Sequence, residues 1–173
     1  MDSVTFETSE GGGLDVAELM AFYSRQHHET SADAQRLETM LARSACVATA
    51  RQGGRLIGFA RGVSDGVQGY LAECKLDPDF QGPAAITKTD GRIEHDEAGI
   101  ARELARQVID RLGRDGVEQV RVLAYGTEVD FCEELGFRRL AGSVAMSLAL
   151  RECKGAGERT GVSSKPEVAG ATR

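Results

Sequence analysis

The chain has 173 residues, 41% hydrophobic and 28% charged, enough to bury one core and too apolar for wholesale disorder. Its net charge is −6; residues 151–173 carry five basic and three acidic side chains, which leaves residues 1–150 at −8, suited to a cationic small substrate and not to a nucleic-acid footprint. No apolar run approaches the roughly 18 residues of a membrane helix and no basic-then-apolar leader opens the chain, so a soluble cytoplasmic protein without a membrane partner is expected.

Residues 4–7 read as a short strand that stops at Gly11, Gly12 and Gly13. That triplet lacks the G-x-G-x-x-G spacing of a nucleotide loop and is a linker. Asp15 is placed to cap a helix carrying Val16, Leu19, Met20 and Tyr23 on one face. Ser31 or Asp33 opens a second helix, with Leu37, Met40 and Leu41 aligned. Residues 46–50 and 55–62 read as a hairpin turning at Gln52-Gly53-Gly54, and 67–76 as a third strand entered through Asp65 and Gly66. Ile100, Leu104, Val108, Ile109 and Leu112 form the strongest helical stripe, stopped by Gly113. Residues 117–124 read as a strand. Val129, Phe131, Cys132 and Leu135 sit on a short helix ending at Gly136. Residues 137–140 and 144–150 read as two closing strands. After Cys153 large apolar residues nearly vanish, so residues 151–173 are expected to be a disordered tail behind a domain over 1–150. Helices and strands alternate into a mixed α/β fold with a parallel crossover around the long helix.

Three segments resemble the GNAT superfamily of acyl-CoA-dependent N-acetyltransferases. Tyr70-Leu71-Ala72-Glu73-Cys74-Lys75-Leu76, continuing to Gln81-Gly82, is similar to the family's fourth strand and the start of its cofactor motif. Gly99-Ile100-Ala101-Arg102-Glu103-Leu104 is similar to the motif's second half, where it enters a helix. Phe131-Cys132-Glu133-Glu134-Leu135-Gly136-Phe137 is similar to the family's segment after the fifth strand. The resemblance covers about residues 3–150. It implies a mostly antiparallel sheet with a central parallel βαβ crossover, helices on both faces, and acetyl-CoA as co-substrate. It places Leu76, Gln81, Gly82, Gly99, Ile100, Ala101 and Arg102 at the cofactor: backbone groups near Leu76 pair with the pantetheine arm, and the helix start at Gly99 offers free N–H donors and a positive dipole end to the pyrophosphate.

The chain departs from that pattern at two places. Residues 83–98 stand where the family has about one residue. The insertion fits a surface flap turning at Asp90-Gly91, a lid or homodimer contact beside the cofactor, or an obstruction of the pyrophosphate site. Its Glu94, Asp96 and Glu97 compete with phosphate for the helix dipole. Cys132 stands where the family has the tyrosine that protonates the departing thiolate.

Direct acyl transfer needs a base for the amine and an acid for the thiolate. The resemblance makes Glu73 the base, with Cys132 or the nearby Tyr125 as the acid, and Tyr23, His27 and Tyr70 as acceptor contacts. By simple alternation Leu71, Glu73 and Lys75 share one face of their strand, and a Glu73–Lys75 pair is the structural alternative to a base. Cys46, Cys74, Cys132 and Cys153 show no CxxC spacing and no clustering with histidine, so no metal site and no disulfide are expected. The expectation is an N-acetyltransferase acting on a primary amine of a small molecule or peptide. The alternative is a catalytically degenerate GNAT-like binding or sensor module.

Overall fold

A computed structural model describes residues 3–26, 32–81, 98–124 and 128–148. The elements run β1 (Val4–Ser9), α1 (Val16–Ser24), α2 (Ala34–Ala42), β2 (Cys46–Gln52), β3 (Arg55–Ser64), β4 (Gln68–Leu76), a 3₁₀ turn (Pro78–Phe80), α3 (Ile100–Arg114), β5 (Gln119–Val122) and α4 (Glu128–Glu134). The five strands lie in sequence order, antiparallel except that β4 and β5 are parallel across α3. The expected mixed sheet and crossover are thus present. Residues 1–141 form one compact unit and 142–173 a second. None of the described helices is long and apolar enough to cross a membrane.

Local chemistry explains the frame. The Asp15 carboxylate accepts from Ala17 N (2.7 Å) and Glu18 N (3.2 Å), and Asp33 accepts from Arg36 N (2.9 Å), so both expected caps form. Gly53 (φ 56°) and Gly54 (φ 79°) are both left-handed between the paired Gln52 and Arg55, the two-residue turn whose twist matches a hairpin. At the end of α4, Phe137 N–H donates to Cys132 O and Gly136 N–H to Glu133 O, both at 3.0 Å, a Schellman closure.

The sheet is covered on both sides. Leu19, Phe22, Tyr23, Leu37 and Leu41 of α1 and α2 pack on Val47, Leu56 and Phe59. Leu104, Ala105, Val108 and Leu112 of α3 pack on Ala48, Ala60, Leu71 and Leu76. The α3 contact runs along a seam of glycines. A Cβ added at Gly58 would lie 2.6 Å from Leu104 Cδ1, and one at Gly62 2.9 Å from Val108 Cγ1.

Two register shifts decide which side chains face which layer. The first, between Ala50 and Arg51, leaves Ile57 unpaired on β3, so Leu56 and Phe59 both face α1 and α2 although they are three positions apart. The second, between Arg61 and Gly62, leaves Ala72 unpaired on β4. This corrects the alternation expected for β4. Leu71 sits in the α3-side core with Leu76, while Glu73 and Lys75 turn to the α1 side.

The strands expected at 137–140 and 144–150 are a second correction: residues 137–140 and 143–148 carry neither helix nor strand. Phe137 is held by the Schellman closure at the end of α4, and Val144, Met146 and Leu148 are solvent-exposed, Met146 at 92%. An alternating run without a paired neighbour does not hold itself extended.

Candidate active site

The strongest polar cluster lies where α1 crosses β4. Glu73 is 14% exposed, and both its oxygens are engaged. Oε1 accepts from Tyr23 Oη at 2.8 Å and lies 3.5 Å from Lys75 Nζ; Oε2 accepts from Arg61 Nε at 3.0 Å. Tyr23 reaches it because Asp15 starts α1 in the frame that buries Leu19, Phe22 and Tyr23 together. Its ring meets Phe59 edge-on at 6.3 Å and carries Lys75 Nζ over its face at 5.1 Å. Burial pushes the Tyr23 hydroxyl above an ordinary phenol, the Glu73 carboxylate adds to that, and Arg61 partly offsets it. Tyr23 therefore remains a donor to Glu73 at neutral pH.

Beside this cluster β4 runs on past the end of β5 among the described residues. Pairing with β5 stops at Leu71, the last residue before the Ala72 bulge, while β4 continues to Leu76. Asp77 N–H donates to Ile57 O at 2.7 Å, so by alternation the N–H and C=O groups of Cys74 and Leu76 point away from β3. Leu76 O accepts there from Gln26 Nε2 (3.4 Å) and from the Gln81 amide. Cys74 Sγ donates to Ala101 O at 3.5 Å, which sets the first turn of α3 against the same stretch of β4. Gly99 caps α3 with φ 71° and no side-chain hydrogen bond, and the first intrahelical N–H is that of Glu103, to Gly99 O at 3.0 Å. The N–H groups of Ile100 and Ala101 precede that first intrahelical bond.

The end of β4 is anchored. Asp77, 1% exposed, accepts from Arg25 Nε (2.7 Å) and Arg55 Nη2 (2.9 Å). Burial pushes its carboxyl up, but the hydrogen bonds from Arg25, Arg55 and Asp79 N–H win and hold it below the usual carboxylate range. Arg25 also donates to Leu56 O at 2.7 Å, so it ties the end of α1 to β3 as well as to β4.

No family model matches the sequence, and no curated protein matches it. Solved structures do match. An acetyltransferase of the GNAT family from Streptococcus pneumoniae superposes with TM-score 0.66 at 19% identity, over 87% of this chain and all of that one. The glucosamine-6-phosphate N-acetyltransferase of Arabidopsis thaliana superposes at 0.61 and 12% identity, over 85% and 99% of the two chains. An aminoglycoside N-acetyltransferase solved with CoA superposes at 0.61 and 12% identity, over 86% and 96%. The chain has the GNAT fold.

Within the GNAT fold the expected residues separate into three groups. Tyr23 and Glu73 are brought into contact, and Leu76, Gln81, Gly99, Ile100 and Ala101 line the stretch between the β4 edge and the α3 start. Tyr70 is 43% exposed on the Glu73 face, and Arg102 pairs with Glu134. Cys132 is buried on α4, and burial, then the charge of Glu128, pushes its thiol up to about 11. His27, Tyr125, Gly82 and residues 83–97 of the insertion lie outside the described residues. No group of three or more His, Cys, Asp or Glu side chains among the described residues is placed to hold a metal.

Sequence reasoning missed Arg61, Gln26 and the Arg25–Asp77–Arg55 anchor. Arg61 was hidden by the bulge. The register at the hairpin tip, Ser64 with Gly69 and Val63 with Tyr70, puts Arg61 opposite Ala72; the extra residue moves it opposite Glu73.

Proposed function

We propose that this chain is an N-acetyltransferase that moves an acetyl group from acetyl-CoA directly to a primary amine of a small molecule or peptide. One observation carries this: a partly buried carboxylate, Glu73, stands on β4 beside the stretch where, among the described residues, that strand runs past β5 and the first turn of α3 lies against it without a side-chain cap. The fold shared with solved acetyltransferases agrees with it.

The residues present fit an acyl-CoA. The N–H groups of Ile100 and Ala101 suit a pyrophosphate, and Gly99 brings no Cβ to that approach, with no atom of the described residues within 4 Å of where a Cβ would sit. The backbone groups of Cys74 and Leu76 that point away from β3 suit an extended amide-bearing arm as an added strand; the Gln26 and Gln81 amides that now donate to Leu76 O would yield to it. When bound, acyl-CoA supplies an activated thioester carbonyl and a thiolate leaving group. Glu73 accepts the proton of the incoming ammonium, directly or through one water, and Arg61 and Tyr23 fix the direction its oxygens face. The proton for the departing thiolate is assigned to Tyr125 or to solvent. Cys132 is a weak donor, because a thiol at about 11 gives its proton to an ordinary thiolate near ~8.5 only uphill.

A binding or sensor module on the same fold is the second reading. It is favoured by the engagement of both Glu73 oxygens within the protein.

Acetyl-CoA binding tests the proposal without knowledge of the acceptor. At a hundred times its dissociation constant the ligand adds about 2.7 kcal/mol, a rise in melting temperature of roughly 5–11 °C for a chain this size. Gly99→Glu is expected to abolish the rise, while Gly99→Asn, which tolerates a left-handed backbone and adds no charge, keeps most of it. No rise at millimolar acetyl-CoA with folded protein sinks the transferase.

A further inference from the structure

The sheet face that holds Glu73 is charged against the sign of the chain. On β5, Val120 and Val122 pack into the α3-side core, so Arg121 between them faces the other side. Arg121 pairs with Tyr70 in the parallel ladder, and Tyr70 is the exposed residue of β4 on that face. Arg61 and Lys75 stand on the same face and both engage Glu73, while Arg121 lies farther along it, opposite Tyr70. The guanidinium of Arg121 reaches Gln119 Oε1 at 3.2 Å through Nη2. Its Nε is buried and has no hydrogen-bond partner among the described residues. A buried guanidinium N–H held beside an exposed tyrosine is costly to leave unmet and suited to an oxyanion.

From this juxtaposition we infer that the acceptor is an anionic amine: a primary amine that also carries a carboxylate or phosphate, with Glu73 at the amine end and Arg121 and Tyr70 at the oxyanion end. The inference rests on the acetyltransferase reading and adds the chemical class of its substrate. Glu73 stands three residues beyond Tyr70 on β4, roughly 10 Å at ~3.3 Å per residue, so the amine and the oxyanion must be several bonds apart. The net charge of the chain points the other way, to a cationic substrate, but a net charge acts at long range and is screened within about 8–10 Å at ordinary salt. A cation beside the bound acceptor is not screened in that way.

The test is a matched series of amines given to the full chain with acetyl-CoA, followed by free thiol release. The series contains ω-amino carboxylates, ω-aminoalkyl phosphates, simple alkylamines and α,ω-diamines of equal length. At least tenfold higher kcat/KM for the anionic amines than for the diamines is expected, and the carboxylate and phosphate arms tell which oxyanion is preferred. Arg121→Gln is expected to cut that advantage by about tenfold to a hundredfold, chiefly through KM, while acetyl-CoA affinity by calorimetry holds; Arg121→Lys recovers part of it. Should Arg121→Gln fail to fold, the ranking of amines by the unmodified chain decides alone. Acetyl-CoA binding with no preference for anionic amines, or an equal loss for alkylamines in Arg121→Gln, overturns the inference and leaves the transferase standing. Failure to bind acetyl-CoA removes the transferase, and the acceptor class falls with it.

Discussion

Replacing Gly58 by alanine tests whether the distance between α3 and the sheet is set by the missing side chain. The added Cβ would lie 2.6 Å from Leu104 Cδ1, 3.3 Å from Ala50 Cβ and 3.4 Å from Leu76 Cδ1, and Leu104, Ala50 and Leu76 are all fully buried. The last two distances are tight and close to tolerable. The first requires Leu104 or all of α3 to move. Overpacking of this kind costs about 1–3 kcal/mol, and loss of glycine's freedom in the unfolded chain returns about 0.4–1 kcal/mol. The net expectation is a loss of roughly 1–2 kcal/mol, or about 3–6 °C in melting temperature at ~3 °C per kcal/mol. Differential scanning calorimetry on the two proteins reads it directly. Leu104→Val in the same chain should relieve the crowding, so the double variant should be more stable than the sum of the two single changes predicts. A Gly58→Ala protein that melts at or above the unmodified chain refutes the seam as the determinant of helix height.

Glu73→Gln should lower turnover by about 10²–10⁴ while acetyl-CoA affinity changes little; equal losses from a remote surface substitution such as Glu118→Gln would remove Glu73 from the chemistry. Cys132→Ser should change turnover by less than about tenfold, and a larger fall with cofactor affinity intact would make the thiol the proton donor. Asp77→Asn should cost roughly 2 kcal/mol at pH 7 in a denaturant titration, because two arginines lose a buried carboxylate while their own partial exposure softens the loss. The Asp77 carboxyl is held below its unfolded value of ~3.9, so its stabilisation is fully present above that pH and fades as pH falls through the lower folded value. The gap between the two proteins should therefore close below about pH 4 and stay constant from pH 5 to 8.

Features encoded locally were legible in the sequence. Asp15 and Asp33 announce helix starts, Gly53-Gly54 a tight hairpin, Gly136 a helix end, and the Ile100 to Leu112 stripe the helix that crosses between the parallel strands. Glu73 was legible as a candidate through its resemblance to a known strand, and Tyr23 through its helix face. What escaped depends on how distant segments meet. The Arg61–Glu73 pair follows from a bulge that no residue type demands, because alanine at position 72 is as compatible with a regular strand as with an irregular one. Arg121 read as one charge among many until β5 was set beside Tyr70. The run from Val144 to Leu148 shows the opposite error, an alternating pattern that looks like a strand and is not one among the described residues.

The Ala72 bulge makes the irregularity at the end of the β4–β5 pairing a matter of chain length as much as of side-chain chemistry. A chain shortened by that one residue would still set Glu73 opposite Arg61, Cys74 opposite Ala60 and Leu76 opposite Gly58, since all the pairs beyond the bulge are counted from the far side of it. Only the surplus backbone would disappear, and with it the irregularity beside which the β4–β5 pairing ends. That irregularity is thus stored in a codon count. A library of point substitutions along β4 would pass over position 72 as tolerant, whereas a library of single-codon deletions would find it.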